Sequence, residues 1–265
     1  MIPFSVLSKQ IIASNTKRMD ILAPDIAQSA RPGQFVLVMA DPWARRLALP
    51  LVEAQAARGS ITVVFQEDDP SAQSLGNLRI GQGLHALTGP LGNPQLPLKA
   101  GTSVCIGYEA GIASVVPVSR YLHKLGNRNF GILGASTKRN LIMESQMRLS
   151  AQSIFVMSED GSTGKRGFVA DALRDVLASY PVAQVFIAAP SRLVREVLPM
   201  VQKKKIALNM VLAPFALSGI GLCGTDRVRV GKELVSLSEN GLIVDAGLID
   251  LDHYDAQRER SYGRS

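Results

Sequence analysis

Apolar and polar positions are most regular between residues 103 and 134, where the chain reads SVCIGYEAGIASVVPVSRYLHKLGNRNFGILG. Val104, Cys105 and Ile106 form a short apolar run that ends at Gly107. Ile112, Val115, Val116, Ser119, Leu122 and Leu125 then recur at helical spacing until Gly126, and Phe130 to Leu133 is apolar again. This pattern predicts strand, glycine turn, helix and parallel strand. The turn opens a helix N-terminus whose amides suit a phosphate. One reading lays a nucleotide pyrophosphate over Gly107, Gly111 and Ile112. A dinucleotide fingerprint, however, sets adjacent glycines so that backbone can approach the pyrophosphate, and here Tyr108 and Glu109 stand between the glycines. The other reading is a turn that only packs helix on sheet.

Residues 1–100 show a different period. Short β-rich segments at Phe4 to Ala13, Arg18 to Ala23, Gln34 to Met39, Ser60 to Gln66 and Gly83 to Thr88 alternate with turn residues, and Ser71 to Leu78 could form one short helix. This profile predicts a small antiparallel barrel. A run dense in turn formers, 87–94, with Pro97 and Gly101, marks a boundary. From 101 to 211 strands alternate with helices: strands at Ser153 to Met157, Gln184 to Ala188 and Ala207 to Val211, helices at Val169 to Ser179 and Ser191 to Lys203. That alternation predicts a parallel sheet covered by helices, with the loops at Gly107, Gly134, Glu159 to Gly167 and Ala189-Pro190 on one rim. Residues 212–265 hold a Gly-rich loop, a hairpin turning at Gly231-Lys232 and a charged tail.

Composition narrows the picture. At 265 residues and 46% hydrophobic, the chain can bury two modest cores, and no apolar run reaches the length of a membrane span. The N-terminus lacks the basic flank and apolar core of a signal peptide, so a cytoplasmic address is expected. Two cysteines, Cys105 and Cys223, are too few for a disulfide framework. The net charge of +7 is scattered, without an aromatic and basic stripe, which argues against nucleic acid as a partner. The three histidines have no Ser or Cys nucleophile signature beside them, so no side chain is assigned a catalytic role.

Six short motifs stand in one order: RPGQFV at 31–36, VFQE at 64–67, TGPLGNP at 88–94, GILGAST at 131–137, EDGSTGKRGFV at 159–169 and CGTDRV at 223–228. Together they resemble the ferredoxin-NADP reductase-like electron-transfer subunits over nearly the whole chain. The nearest branches are the small flavin subunit of NADH-dependent ferredoxin:NADP oxidoreductase (sulfide dehydrogenase) and the electron-transfer subunit of dihydroorotate dehydrogenase. The resemblance implies a flavin-binding β-barrel, an NAD(P)-binding Rossmann-like domain, FAD, NAD(P)H and a larger partner subunit. By that likeness the flavin site falls on Arg46, Pro50, Leu51, Val52, Gln66, Ser71, Ala72 and Gly89. The nucleotide site falls on Gly107, Gly111, Ile112, Asp160, Gly161 and Ser162. Departures are visible. Val52 stands where a hydroxyl is usual, Asp69-Pro70-Ser71-Ala72 replaces a Gly-x-Ser-Thr turn, and Gly107 to Ser114 replaces Gly-Gly-Gly-x-Gly-Ile-Ala-Pro.

The same resemblance places a 2Fe-2S cluster in the C-terminal loop. There Cys223 is retained, but the next positions read Asp226 and Ser238. One thiolate with a carboxylate and a hydroxyl is a poor ligand set for iron and sulfide, so a cluster is not expected. Three readings stay open at this point: a flavin-dependent electron-transfer subunit without its cluster, a non-catalytic scaffold that keeps the reductase fold, and a single-chain NAD(P)H:flavin reductase.

Overall fold

The computed structural model describes residues 4–93, 96, 101–214 and 227–261. They fall into two compact units. The first comprises the described parts of Met1–Gln95, Ala213–Leu242 and Asp250–Ser265, the second those of Leu96–Leu212 and Ile243–Ile249. The C-terminal portion is therefore shared between the units.

The first unit begins with β1 (Val6–Ala13), β2 (Thr16–Leu22), α1 (Pro24–Ser29), β3 (Phe35–Met39), β4 (Leu47–Gln55), β5 (Ser60–Gln66), α2 (Pro70–Asn77) and β6 (Ala86–Leu91). Its strands make one antiparallel sheet in the order β1-β2-β5-β4-β3-β6. The segment before β6 returns to the start of β1 through a bridge between Ser5 and Gly83, with the Val6 amide on the Gln82 carbonyl at 2.8 Å. The sheet curls into a barrel-like shape without closing. Met19, Ile21, Val36, Val38, Ile61, Val63 and Leu75 fill its interior. Both helices start with proline in the first turn, where the missing N–H costs nothing.

The pattern did not predict β4, because Pro50 reads as a strand breaker. In the sheet Pro50 lies opposite Phe35, and the pairing of β4 with β5 shifts register between Leu51 and Glu53. A bulge is one of the few places in a sheet that tolerates proline.

The second unit contains β7 (Thr102–Tyr108), α3 (Gly111–Lys124), β8 (Arg128–Ala135), α4 (Glu144–Arg148), β9 (Ser153–Ser158), β10 (Lys165–Arg166), α5 (Val169–Ser179), β11 (Gln184–Ala188), α6 (Ser191–Gln202) and β12 (Ala207–Val211). The chain continues with β13 (Arg227–Val230), β14 (Glu233–Ser236), α7 (Leu237–Asn240), β15 (Ile243–Asp245) and α8 (Leu251–Ser261). The seven-stranded sheet of the second unit has the order β10-β9-β8-β7-β11-β12-β15 and is parallel except for β15, which runs against β12. Ile112, Val115, Val116 and Leu122 of α3 are fully buried, as the helical spacing predicts. Strand order reverses at β7, whose neighbours are β8 and β11. That reversal makes a crevice at the carboxyl ends of β7 and β11 the place where an open parallel sheet takes ligands.

β13 and β14 form the hairpin expected to turn at Gly231-Lys232, and the charged tail is helical to Ser261. Tyr254 of α8 is buried, and its hydroxyl accepts the Ala213 amide at 3.0 Å.

Candidate functional site

The loops expected on one rim meet there. The Tyr108 hydroxyl, at the end of β7, donates to Glu159 Oε1 at 2.7 Å, just past β9. Arg192, in the first turn of α6, donates to the same oxygen at 2.9 Å, and its guanidinium lies 5.5 Å from the centre of the Tyr108 ring. The Lys138 amide donates to Ser162 Oγ at 2.7 Å, linking the loops after β8 and β9. These contacts set the titration of the rim. Burial, and then donation to Glu159, push the Tyr108 phenol above its ordinary range. Hydrogen bonds from Tyr108 and Arg192 hold Glu159 below the usual carboxylate range.

Glu109 is the residue that most changes the meaning of the turn. Its backbone is left-handed, with φ 47°, a region that non-glycine residues enter at a cost. Its carboxylate is directed at the end of β8. There Oε1 accepts the Ser136 amide at 3.0 Å, the Ser136 hydroxyl at 2.6 Å and Asn140 Nδ2 at 3.3 Å. Ser136 and Asn140 were not among the residues expected at the site. The motif GILGAST contains Ser136, but nothing local in the sequence says that a residue 27 positions earlier reaches it.

Gly107 and Gly111 serve packing. A Cβ on Gly107 would lie 2.7 Å from the Ile112 Cα, and one on Gly111 would strike the carbonyl of Ala188 at the end of β11. Both let α3 press onto the sheet. The two positions where glycine lets backbone approach a diphosphate carry Tyr108 and Glu109 instead. The amides of the second and third residues of α3 are also engaged, Ile112 N on the Glu109 carbonyl at 3.0 Å and Ala113 N on the Ala110 carbonyl at 3.1 Å. As folded, this turn does not fit a nucleotide diphosphate. Asp160, Gly161 and Ser162 are exposed in the loop after β9, where Asp160 Oδ1 accepts the Ser162 amide at 2.9 Å and the Ser162 hydroxyl at 2.7 Å. Those bonds hold Asp160 below the ordinary aspartate range.

The residues assigned to the flavin are spread through the first unit. Pro50, Leu51 and Val52 lie in β4, Leu51 and Val52 with their side chains buried. Arg46 is exposed just before β4, Gln66 is exposed at the end of β5, and Gly89 lies in β6 against Val36. Ser71 and Ala72 open α2. Asp69 caps that helix, its Oδ1 accepting the Ser71 amide at 2.8 Å and the Ala72 amide at 3.1 Å. Arg45 NH2 stands 3.3 Å from the other Asp69 oxygen, and the Arg45 amide donates to Ser71 Oγ at 2.8 Å. Asp69 thus takes the Ser71 and Ala72 amides at this entry, while Ser71 Oγ, which accepts the Arg45 amide, keeps its own O–H to donate.

Of the cluster positions, Cys223 and Asp226 lie outside the described residues. Ser238 is half-buried in α7, and its carbonyl accepts the Gly92 amide at 2.8 Å. Cys105 is buried in β7, where desolvation pushes its thiol up to about 12 and leaves it inert.

Comparison with known proteins places this geometry in a class. The chain has the two-domain fold of the ferredoxin-NADP reductase-like oxidoreductases, and several of its sequence relatives are named as electron-transfer subunits. No family model matches it. The dihydroorotate dehydrogenase B (NAD(+)), electron transfer subunit homolog of Thermotoga maritima is 25% identical, covering 98% of this chain and 94% of that one. The corresponding subunit of Desulforamulus reducens is 26% identical over 85% of this chain and 87% of its own length. A protein of the adh 3′ region of Clostridium beijerinckii is 28% identical over 94% of this chain and 87% of its own. Among solved structures, a chain of an NADH-dependent reduced ferredoxin-NADP oxidoreductase, described for flavin-based electron bifurcation, matches with a TM-score of 0.91 at 24% identity, covering 98% of this chain and 94% of that one. No described helix is long and apolar enough to cross a membrane.

Proposed function

We propose that the chain is a flavin-dependent electron-transfer subunit of a hetero-oligomeric oxidoreductase, working in the cytoplasm beside a larger subunit and without a 2Fe-2S cluster. The observation that carries this reading is length-wide sequence likeness to relatives named as electron-transfer subunits, on a fold shared with a chain of a ferredoxin-NADP oxidoreductase. FAD in the first unit is the redox group it requires, and NAD(P)H, the nucleotide that goes with it, is held only weakly at the second unit's altered turn. In such enzymes the cofactor carries the chemistry and the protein binds and orients it. The absence of a cluster is proposed from Asp226 and Ser238, which replace the soft thiolates that iron and sulfide need.

A second reading, the non-catalytic scaffold, is favoured by one specific observation. Asp69 takes the amides at the entry of α2, and at the second turn Tyr108 and Glu109 stand between the glycines, Glu109 with its carboxylate on the Ser136 amide past β8. The absorbance spectrum of protein purified anaerobically separates the two readings. The electron-transfer subunit should release a yellow chromophore on denaturation and contain no stoichiometric iron or acid-labile sulfide. A colourless protein that neither FAD nor FMN reconstitutes would leave only the scaffold. Iron near two per chain would overturn the cluster-free assignment.

A further inference from the structure

We infer that Glu109, locked in place beside Tyr108, is a built-in anion that closes the crevice of the parallel-sheet unit to nucleotide diphosphates. The inference rests on reading this unit as a nucleotide-type domain and is independent of whether the first unit holds flavin.

An open parallel sheet presents its ligand site where strand order reverses, past the carboxyl ends of the strands. Here that point lies between β7 and β11, at the turn 107–111. A diphosphate bound there needs a cradle of backbone amides and an unobstructed approach. In this chain Glu109, a residue of that turn, reaches with its carboxylate to the end of β8 and collects three donors there: the Ser136 amide, the Ser136 hydroxyl and Asn140 Nδ2. An anionic oxygen surrounded by one amide, one hydroxyl and one carboxamide N–H has the donor chemistry of a bound phosphate oxygen. The anion belongs to the chain.

Tyr108 makes the closure firm. Its ring packs so closely on Gly134 that a Cβ there would lie 3.0 Å from Tyr108 Cδ2. Its hydroxyl is tied to Glu159, and Arg192 covers the ring. Swinging the ring aside would break these contacts together. A turn needed only for packing would have no use for this arrangement. Gly107 and Gly111 already meet the steric demand, and a glycine at 109 would adopt φ 47° without strain. A glutamate stands there against its backbone preference, and what it gains is its three hydrogen bonds.

The test uses the full chain and calorimetric titration with NADH, NADPH and ADP. Wild-type protein should bind all three weakly. Glu109→Gly, which suits the backbone and removes both charge and bulk, should strengthen binding about tenfold or more, as expected from deleting a unit charge a few ångströms from a diphosphate. Glu109→Gln keeps the reach to Ser136 without the charge and should gain less, and it guards against a folding defect in the glycine variant. Tight nucleotide binding by wild type overturns the inference, and so does equal binding by all three proteins. Flavin content is read separately on the same samples. Colourless protein with a gain in Glu109→Gly sinks the flavin reading and keeps the closure; yellow protein with no gain does the reverse.

Discussion

The entry of α2 and the turn between β7 and α3 both end with a carboxylate on backbone amides, yet they differ in how far the carboxylate reaches. Asp69 serves its own helix. Its backbone is extended, with φ −139° and ψ 162°, and it accepts the amides two and three residues ahead, as an aspartate at the start of a helix ordinarily does. Glu109 has a left-handed backbone and reaches across 27 positions to Ser136. The first arrangement is explained by helix formation alone. The second costs backbone strain and improves no helix, so another role has to sustain it. That contrast is why closure is assigned to Glu109, while Asp69 is treated as a cap that also obstructs a diphosphate.

The largest effect should come from disturbing the packing beneath the second turn. Gly111→Ala puts a methyl group into the Ala188 carbonyl, and because backbone cannot retreat cheaply, a loss of about 1–3 kcal/mol is expected in denaturant unfolding. If this variant matched wild type, the steric account of the turn would be wrong. Glu109→Gly comes next. Its stability should stay near wild type, because relief of strain offsets the lost hydrogen bonds, while its affinity for NADH rises. A destabilisation above about 2 kcal/mol would instead make Glu109 a structural tie.

Asp69→Ala should cost about 1 kcal/mol as a lost helix cap, whereas Asp69→Ser should recover most of it. Neither should change NADH binding in the other unit, and a change would erase the contrast between the turns. The smallest effect concerns Glu159. A carboxyl held below its ordinary range stabilises the fold above the unfolded value of 4.5, and that contribution is lost as pH falls through the folded value. Glu159→Gln should therefore be slightly less stable than wild type at neutral pH, and the difference should vanish in acid. Because the pair is partly exposed, the neutral-pH gap should be under about 1 kcal/mol. Thermal melts of both proteins from neutral to acid pH would show it, and a gap that widened in acid would reverse the assigned sign.

Much of the fold could be read from the chain because it depends on local periodicity. Ser60–Gln66, Val169–Ser179, Gln184–Ala188 and Ala207–Val211 have the bounds that their apolar patterns predict, and Gly111–Lys124 begins at the glycine that opens its pattern. β4 was hidden because Pro50 reads as a breaker and is accommodated here beside a bulge, and a bulge is a property of the pairing between strands. α1 was hidden by its brevity. β15 could not be foreseen, since three residues carry too little pattern to announce an antiparallel strand on the edge of a parallel sheet.

At the site, chain order sets which residues stand at each turn: glycines at 107 and 111, a tyrosine and a glutamate between them, an aspartate before Ser71, and a C-terminal loop with one of its expected thiolates. What those residues touch follows from the folded arrangement. Chain order records neighbours within a few positions, and the Asp69 cap is of that kind. The partners of Glu109 and Tyr108, namely Ser136, Asn140, Glu159 and Arg192, come from three other loops and meet at one rim only because parallel strands deliver their carboxyl ends to the same side of a sheet.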